Sequence, residues 1–189
     1  MLEDGSVYEG TARGDFKETA CEIVFNTSMT GYVEILTDPS YAGQGVVMTY
    51  PMIGNYGISR EDFESERLQP SAFIVHELSS DPSNFRCTDT IENLLKEYNI
   101  PCISGVDTRA VVKKLRESGT MRGVLTSDIG DRERLMDIIK SFRQIDLVGS
   151  VTAKQTKVYG EENTGAEIAL MDFGTKRNII CLLYTSPSP

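Results

Sequence analysis

The sequence predicts a layered α/β domain followed by the opening of a second, doubly wound α/β domain. Three observations carry that prediction. The first half is dominated by strand-type segments, and from residue 88 amphipathic helices alternate with short strands. After a polar stretch, a fresh apolar segment, a glycine turn and a helix start follow one another, as they do where doubly wound domains open.

Taken in order, residues 5–10 and 20–26 read as strands that pair near the start of the sheet. The second of them, Ala20 to Phe25, is rich in apolar and β-branched side chains. Gly31 to Thr37 fits a strand or a short helix. Tyr32, Ile35 and Leu36 at i, i+3 and i+4 favour the helix, which ends where Pro39 restricts Asp38. Val46 to Tyr50 is a strand stopped by Pro51, and Ala72 to Leu78, with Phe73, Val75 and His76, is another. Between them Ser59 to Arg67 carries Glu61, Asp62, Glu64 and Glu66. It reads as a solvated loop or helix, with a docking face for a basic partner as the alternative.

Beyond residue 88, Ile91, Leu94, Leu95 and Tyr98 form one helical stripe after a Thr88 cap. Pro101 to Ser104 is a short strand. Asp107 caps a helix that turns Val111, Val112 and Leu115 inward and stops at Gly119. Val124 and Leu125 belong to the next strand, and Leu135, Ile138, Ile139 and Phe142 repeat the helical stripe. The first domain is expected over residues 1–148. Residues 149–166 lose the apolar periodicity and read as a linker, or as one edge strand followed by a linker. Residues 167–180 start the second domain: Glu167 to Asp172 is expected as a buried strand, and Phe173-Gly174-Thr175 as the turn into a helix.

Composition bounds the partners. Asp and Glu number 28 against 19 Lys and Arg, for a formal charge of -9 and a pI near 4.7. Such a surface repels phosphate backbones, which argues against nucleic acid and against anionic membranes. No apolar run of about 18 residues and no basic-then-apolar leader pattern is present, so a soluble, cytoplasmic protein is expected. The four cysteines, Cys21, Cys87, Cys102 and Cys181, lack CxxC spacing, and His76 is the single histidine. No metal site and reduced, mostly buried thiols are therefore expected.

The segment Phe25 to Gly57 concentrates glycines at 31, 43, 45, 54 and 57, which points to several fixed turns. Within it Asp38-Pro39-Ser40-Tyr41 has two readings: a short helix start with Asp38 as cap, or a rigid corner that projects the Ser40 hydroxyl toward a ligand. Gly54-Asn55-Tyr56-Gly57 has the GxxG form of nucleic-acid clamps but no flanking basic residues, and a rigid turn is the better account.

The runs NTSMTGY-x-EILTDPSY and TYP-x-IGNYG, the opening LEDG, PSNFR at 82–86, ISGVDTR at 103–109 and MDFGTKRNI at 171–179 are long motifs. They make the chain resemble the N-terminal part of the small, glutamine-hydrolysing subunit of carbamoyl-phosphate synthetase, over nearly its whole length. The resemblance implies a β/β/α arrangement of the swivelling type, followed by the first strand of a truncated class I glutamine amidotransferase domain. It implies a heterodimer feeding pyrimidine and arginine production. In it a Cys-His-Glu triad hydrolyses L-glutamine, and the ammonia passes to a large subunit that uses bicarbonate, ATP and magnesium. No residue of that triad matches here, so no catalytic residue is assigned and these 189 residues are expected to be inactive alone. Ser40 matches a glutamine-binding position, and Lys176 aligns near the same site, a solvated lysine in a first helical turn being its plain alternative. Arg109, Arg177 and Asn178 read equally as interface or loop-bracing groups. A triad improvised from Cys21, Cys87 or Cys102 with His76 is rejected, because the chain offers no electropositive setting for a thiolate. The pattern also implies a clipped first strand and a non-native tail at 181–189. A non-catalytic docking domain is the alternative function, and a free-standing amino-acid-binding regulator ranks last.

Overall fold

The structure is a computed structural model and describes residues 1–14, 16–143, 146–160 and 167–185, without the side chains of 184 and 185. Its strands are β1 (Thr11–Arg13), β2 (Thr19–Asn26), β3 (Gln44–Met48), β4 (Met52–Ile53), β5 (Ala72–Ile74), β6 (Glu77–Leu78), β7 (Cys102–Ser104) and β8 (Met121–Leu125). Its helices are α1 (Tyr32–Thr37), α2 (Ile91–Glu97), α3 (Thr108–Ser118), α4 (Arg132–Ser141), α5 (Leu147–Val151) and α6 (Arg177–Thr185). The result is a mixed α/β molecule, as the alternation of patterns requires.

Six strands make one sheet in the order β1-β7-β5-β3-β2-β8, and β4 pairs with β6 in a separate ribbon. The inner pairs of the large sheet are parallel and both outer pairs antiparallel. Successive residues of a strand point to opposite faces, so a strand covered on both sides must be apolar at every position. That is what β5 shows, and β3 from Gly45 to Met48, beyond its half-buried Gln44. Val46, Met48 and Phe73 join a core with Tyr32 and Leu36 of α1 and Ile91, Leu94 and Leu95 of α2. Val47, Ala72 and Ile74 join a second core with Val111, Val112 and Leu115 of α3. Leu135 and Ile139 of α4 bury against Val124.

Local signals set the helix ends. Asp107 accepts the Ala110 N–H at 2.9 Å and opens α3 as expected. Helix α2 is capped by Thr90, which accepts from Asn93 N at 3.2 Å, and not by Thr88, whose hydroxyl donates to Ile58 O. Thr88 is spent on joining the loop to residue 58, so the cap falls to the next hydroxyl.

Three strand expectations are corrected. Residues 5–10 form no strand; the segment that pairs is β1, and its partner is β7, not β2. Both edges of β2 are already occupied, by β3 and β8, so no edge remains for it. The expected strand at 72–78 splits into β5 and β6, because Val75 N bonds Ile103 O while His76 O turns to Gly105 N. Glu167 to Asp172 is not a buried strand: it is irregular, and Ile168, Leu170 and Met171 are exposed. A parallel strand exists only where a neighbour completes its ladder, and among the described residues no strand pairs with this segment. Helix α5 runs across the boundary expected at 148, in a stretch whose composition had suggested a linker.

Candidate functional site

The corner at Asp38 is built from the end of α1. Pro39 keeps Asp38 out of the helical region, at φ −72° and ψ 118°, so α1 stops and a 3-10 turn over Pro39–Tyr41 begins. Asp38 caps that turn: its Oδ1 accepts the Ser40 N–H at 2.9 Å, and its carbonyl accepts the Tyr41 N–H at 3.0 Å. The two readings of this tetrapeptide are thus one structure, a capped turn whose rigidity fixes where Ser40 points. Ser40 is exposed, and among the described residues its hydroxyl has no hydrogen-bond partner.

The second oxygen of Asp38 accepts from Lys176 Nζ at 2.6 Å. The bond to Asp38 holds the lysine pKa above its ordinary value, against partial desolvation. Ser40 and Lys176, 136 positions apart in the sequence, are therefore gathered on the two oxygens of one buried carboxylate. An ammonium carries three N–H bonds, and Asp38 takes one of Lys176's.

Beside the corner lies an open cleft of about 230 Å³, walled by Pro39, Ser40 and Ala42 on one side and Leu147, Val148, Val151, Phe173 and Gly174 on the other. Gly174 has φ +105°, and a Cβ there would meet Val151 Cγ2 at 2.7 Å and Pro39 Cβ at 3.1 Å. Only glycine fits, which accounts for the turn glycine after Phe173. Asp172 Oδ1 accepts the N–H groups of Gly174 and Thr175 at 3.0 and 2.7 Å and shapes the same turn.

Sequence reasoning missed Glu64. It lies in the acidic run read as solvated, yet it is only 7% exposed. Its Oε2 accepts the Asn178 N–H at 3.0 Å, its Oε1 accepts Asn178 Nδ2 at 2.8 Å, and its carbonyl accepts the Arg177 N–H at 2.9 Å. Its own N–H donates to Thr37 Oγ1 at 2.9 Å, and that hydroxyl donates to Val33 O at 2.9 Å. Glu64 thereby ties the last turn of α1 to the first turn of α6, where a negative charge also complements the unpaired N–H groups. Asn178 is a bracing group. The only hint in the sequence is that Phe63 and Leu68, close by on either side, are apolar, and both are buried.

The other candidates do not join the site. Burial pushes the thiols of Cys21 and Cys102 up to about 12, so both stay protonated and inert at neutral pH. Cys87 Sγ donates to Asp89 O, and the exposed His76 lies with Nδ1 3.0 Å from Val106 O. Among the described residues no three His, Cys, Asp or Glu side chains converge as a metal site would need.

Comparison with known proteins gives this corner a context. The family model described as carbamoyl-phosphate synthase small chain, CPSase domain, matches residues 1–125. A carbamoyl phosphate synthase small chain of Clostridium perfringens is 47% identical over 181 residues, 95% of this chain and 51% of the relative. Those of Caldanaerobacter subterraneus and Archaeoglobus fulgidus are each 47% identical as well, over 182 and 184 residues. They cover 96% and 95% of this chain and 49% and 51% of their own lengths. The chain spans about half the length of the curated relatives it matches. With two thirds of its residues inside the family model and its identity to these relatives running on past the Asp38–Lys176 corner, the chain belongs to the carbamoyl-phosphate synthase small chain family.

Proposed function

We propose that this chain is the N-terminal part of the glutaminase subunit of a glutamine-dependent carbamoyl-phosphate synthase, and that it lends Ser40 to the glutamine site. The observation that carries the reading is the shared carboxylate of Asp38, which holds the Ser40 turn and Lys176 together beside an open cleft. A hydroxyl with no other partner suits the charged end of an amino acid, where a hydrogen bond to an ionised group is about twice as strong as a neutral one. Lys176 contributes through Asp38 and offers its remaining N–H bonds to the same end of glutamine. These residues bind and orient; Cys21 and Cys102 are buried and held protonated, and no residue here matches the triad that the resemblance implies, so residues 1–189 by themselves hydrolyse no glutamine on this reading.

The ammonia goes to a large subunit that uses ATP, magnesium and bicarbonate, docked on this chain in the cytoplasm. The two cores on opposite faces of one sheet suit the β/β/α swivelling arrangement that the motifs imply. The test compares nitrogen sources. With the large chain present, adding the full-length small chain is expected to make glutamine support carbamoyl phosphate formation, while ammonia supports it with or without the small chain. Glutamine-dependent synthesis that is the same with and without the small chain would contradict the proposal.

A further inference from the structure

We propose that Phe85 is the anchor by which this chain grips the large chain of the synthase, its ring entering an apolar cup edged by basic groups on that partner. The inference rests on the small-subunit reading above. Phe85 is 97% exposed, the most exposed of the large apolar side chains among the described residues. Among the described residues nothing covers the ring.

The loop that presents it is nonetheless tightly braced. Ser83 N donates to Asn55 O at 2.9 Å, Arg86 N to Asn84 Oδ1 at 2.8 Å, Cys87 N to Asn84 O at 3.0 Å and Thr88 N to Ile58 O at 2.8 Å. Arg86 Nη2 reaches Asp62 at 2.7 Å, Glu61 at 3.1 Å and Ser59 Oγ at 3.3 Å. An aromatic ring held out on a fixed loop loses little conformational freedom when it is buried, and aromatic residues of this kind dominate the affinity of protein interfaces.

Charge selects the occupant. Arg86, the chain neighbour of Phe85, is held by the carboxylates of Glu61 and Asp62, the exposed Asp81 belongs to the same loop, and the chain's formal charge is -9. A second copy would set this acidic patch against itself, since a twofold interface uses the same surface on both sides. Among the described residues, the hydrogen bonds and ion pairs that tie residues 147–178 to the first part of the molecule lie away from this loop, at Asp38, Glu64, Glu66 and Arg67. A basic surface on a different protein is the complement, and the large chain is the partner that membership of a small-chain family supplies.

The experiment measures association of the full-length small chain with its large chain by calorimetry, for the wild type, Phe85→Ala and Phe85→Trp. Phe85→Ala is expected to raise Kd about thirtyfold or more at unchanged Tm, and Phe85→Trp to stay within about threefold of wild type. Raising salt from 0.05 to 0.5 M is expected to weaken the wild-type complex. A Phe85→Ala Kd within about twofold of wild type would overturn the proposal. So would a Tm lowered by several degrees, which would make the ring part of the small chain's own packing, or a self-association of the small chain that Phe85→Ala abolishes. A wild-type chain that binds no large chain would overturn the small-subunit reading, and this inference with it.

Discussion

At the scale of single residues, the corner depends on one carboxylate that accepts from two directions. Asp38 has Ser40 N on Oδ1 and Lys176 Nζ on Oδ2, so removing the lysine leaves the turn capped and deletes one of the ties to the second segment, the Glu64 bonds to Arg177 and Asn178 remaining. Because Asp38 raises the pKa of Lys176, folding favours the protonated lysine. That stabilisation is fully present below the unfolded value of 10.5 and is lost as pH rises through the higher folded value. Lys176→Met is therefore expected to melt about 1–4 °C below wild type near pH 8, with the gap closing above about pH 10.5. Differential scanning fluorimetry of the pair across pH 8–11.5 checks this, and a gap that widens with pH would contradict it. Ser40 and the cap at Asp38 were legible in the sequence, because Asp-Pro-Ser has a local mechanism. The Lys176–Asp38 pairing was not, since nothing local relates residues 138 positions apart.

At the scale of elements, the same division holds. The α2, α3 and α4 stripes were readable because each helix has one buried face, and Leu94, Leu95, Val111, Val112, Leu115, Leu135 and Ile139 all go inward. The partner of β1 was not readable: sheet order is decided by which edges stay free, and β2 has none. Nor was Glu64, because an acidic run says nothing about which of its members is buried. Its role predicts a local effect. Glu64→Ala removes the acceptors of Asn178 N and Nδ2 and is expected to cost about 1–3 kcal/mol for the charged hydrogen bonds. Amide exchange should quicken at 177–180, while β2, β3 and β5 keep their protection. Exchange that quickens equally in those central strands would mean that Glu64 supports the whole core and not the junction with α6.

At the scale of the whole molecule, a two-sided sheet carries a corner on which the start of a further segment is held. Asp38 and Glu64 bind it, through Lys176, Arg177 and Asn178. Apolar side chains stay exposed along that segment, at Ile168, Leu170, Met171, Phe173 and Ile179. The strand expected at Glu167 to Asp172 does not form, because a strand is a property of a pair and composition describes only one member. The central claim is that this corner serves glutamine, and Ser40→Ala in the full-length small chain with its large chain tests it most directly. The variant deletes one hydrogen bond to an ionised group, about 1.5–3 kcal/mol, so the glutamine KM is expected to rise roughly ten- to a hundredfold. On the proposed reading the contact lies away from the scissile amide and acts equally in ground and transition states, so kcat and the ammonia-dependent rate are expected to stay unchanged. A glutamine KM within about twofold of wild type would show that Ser40 only turns the chain.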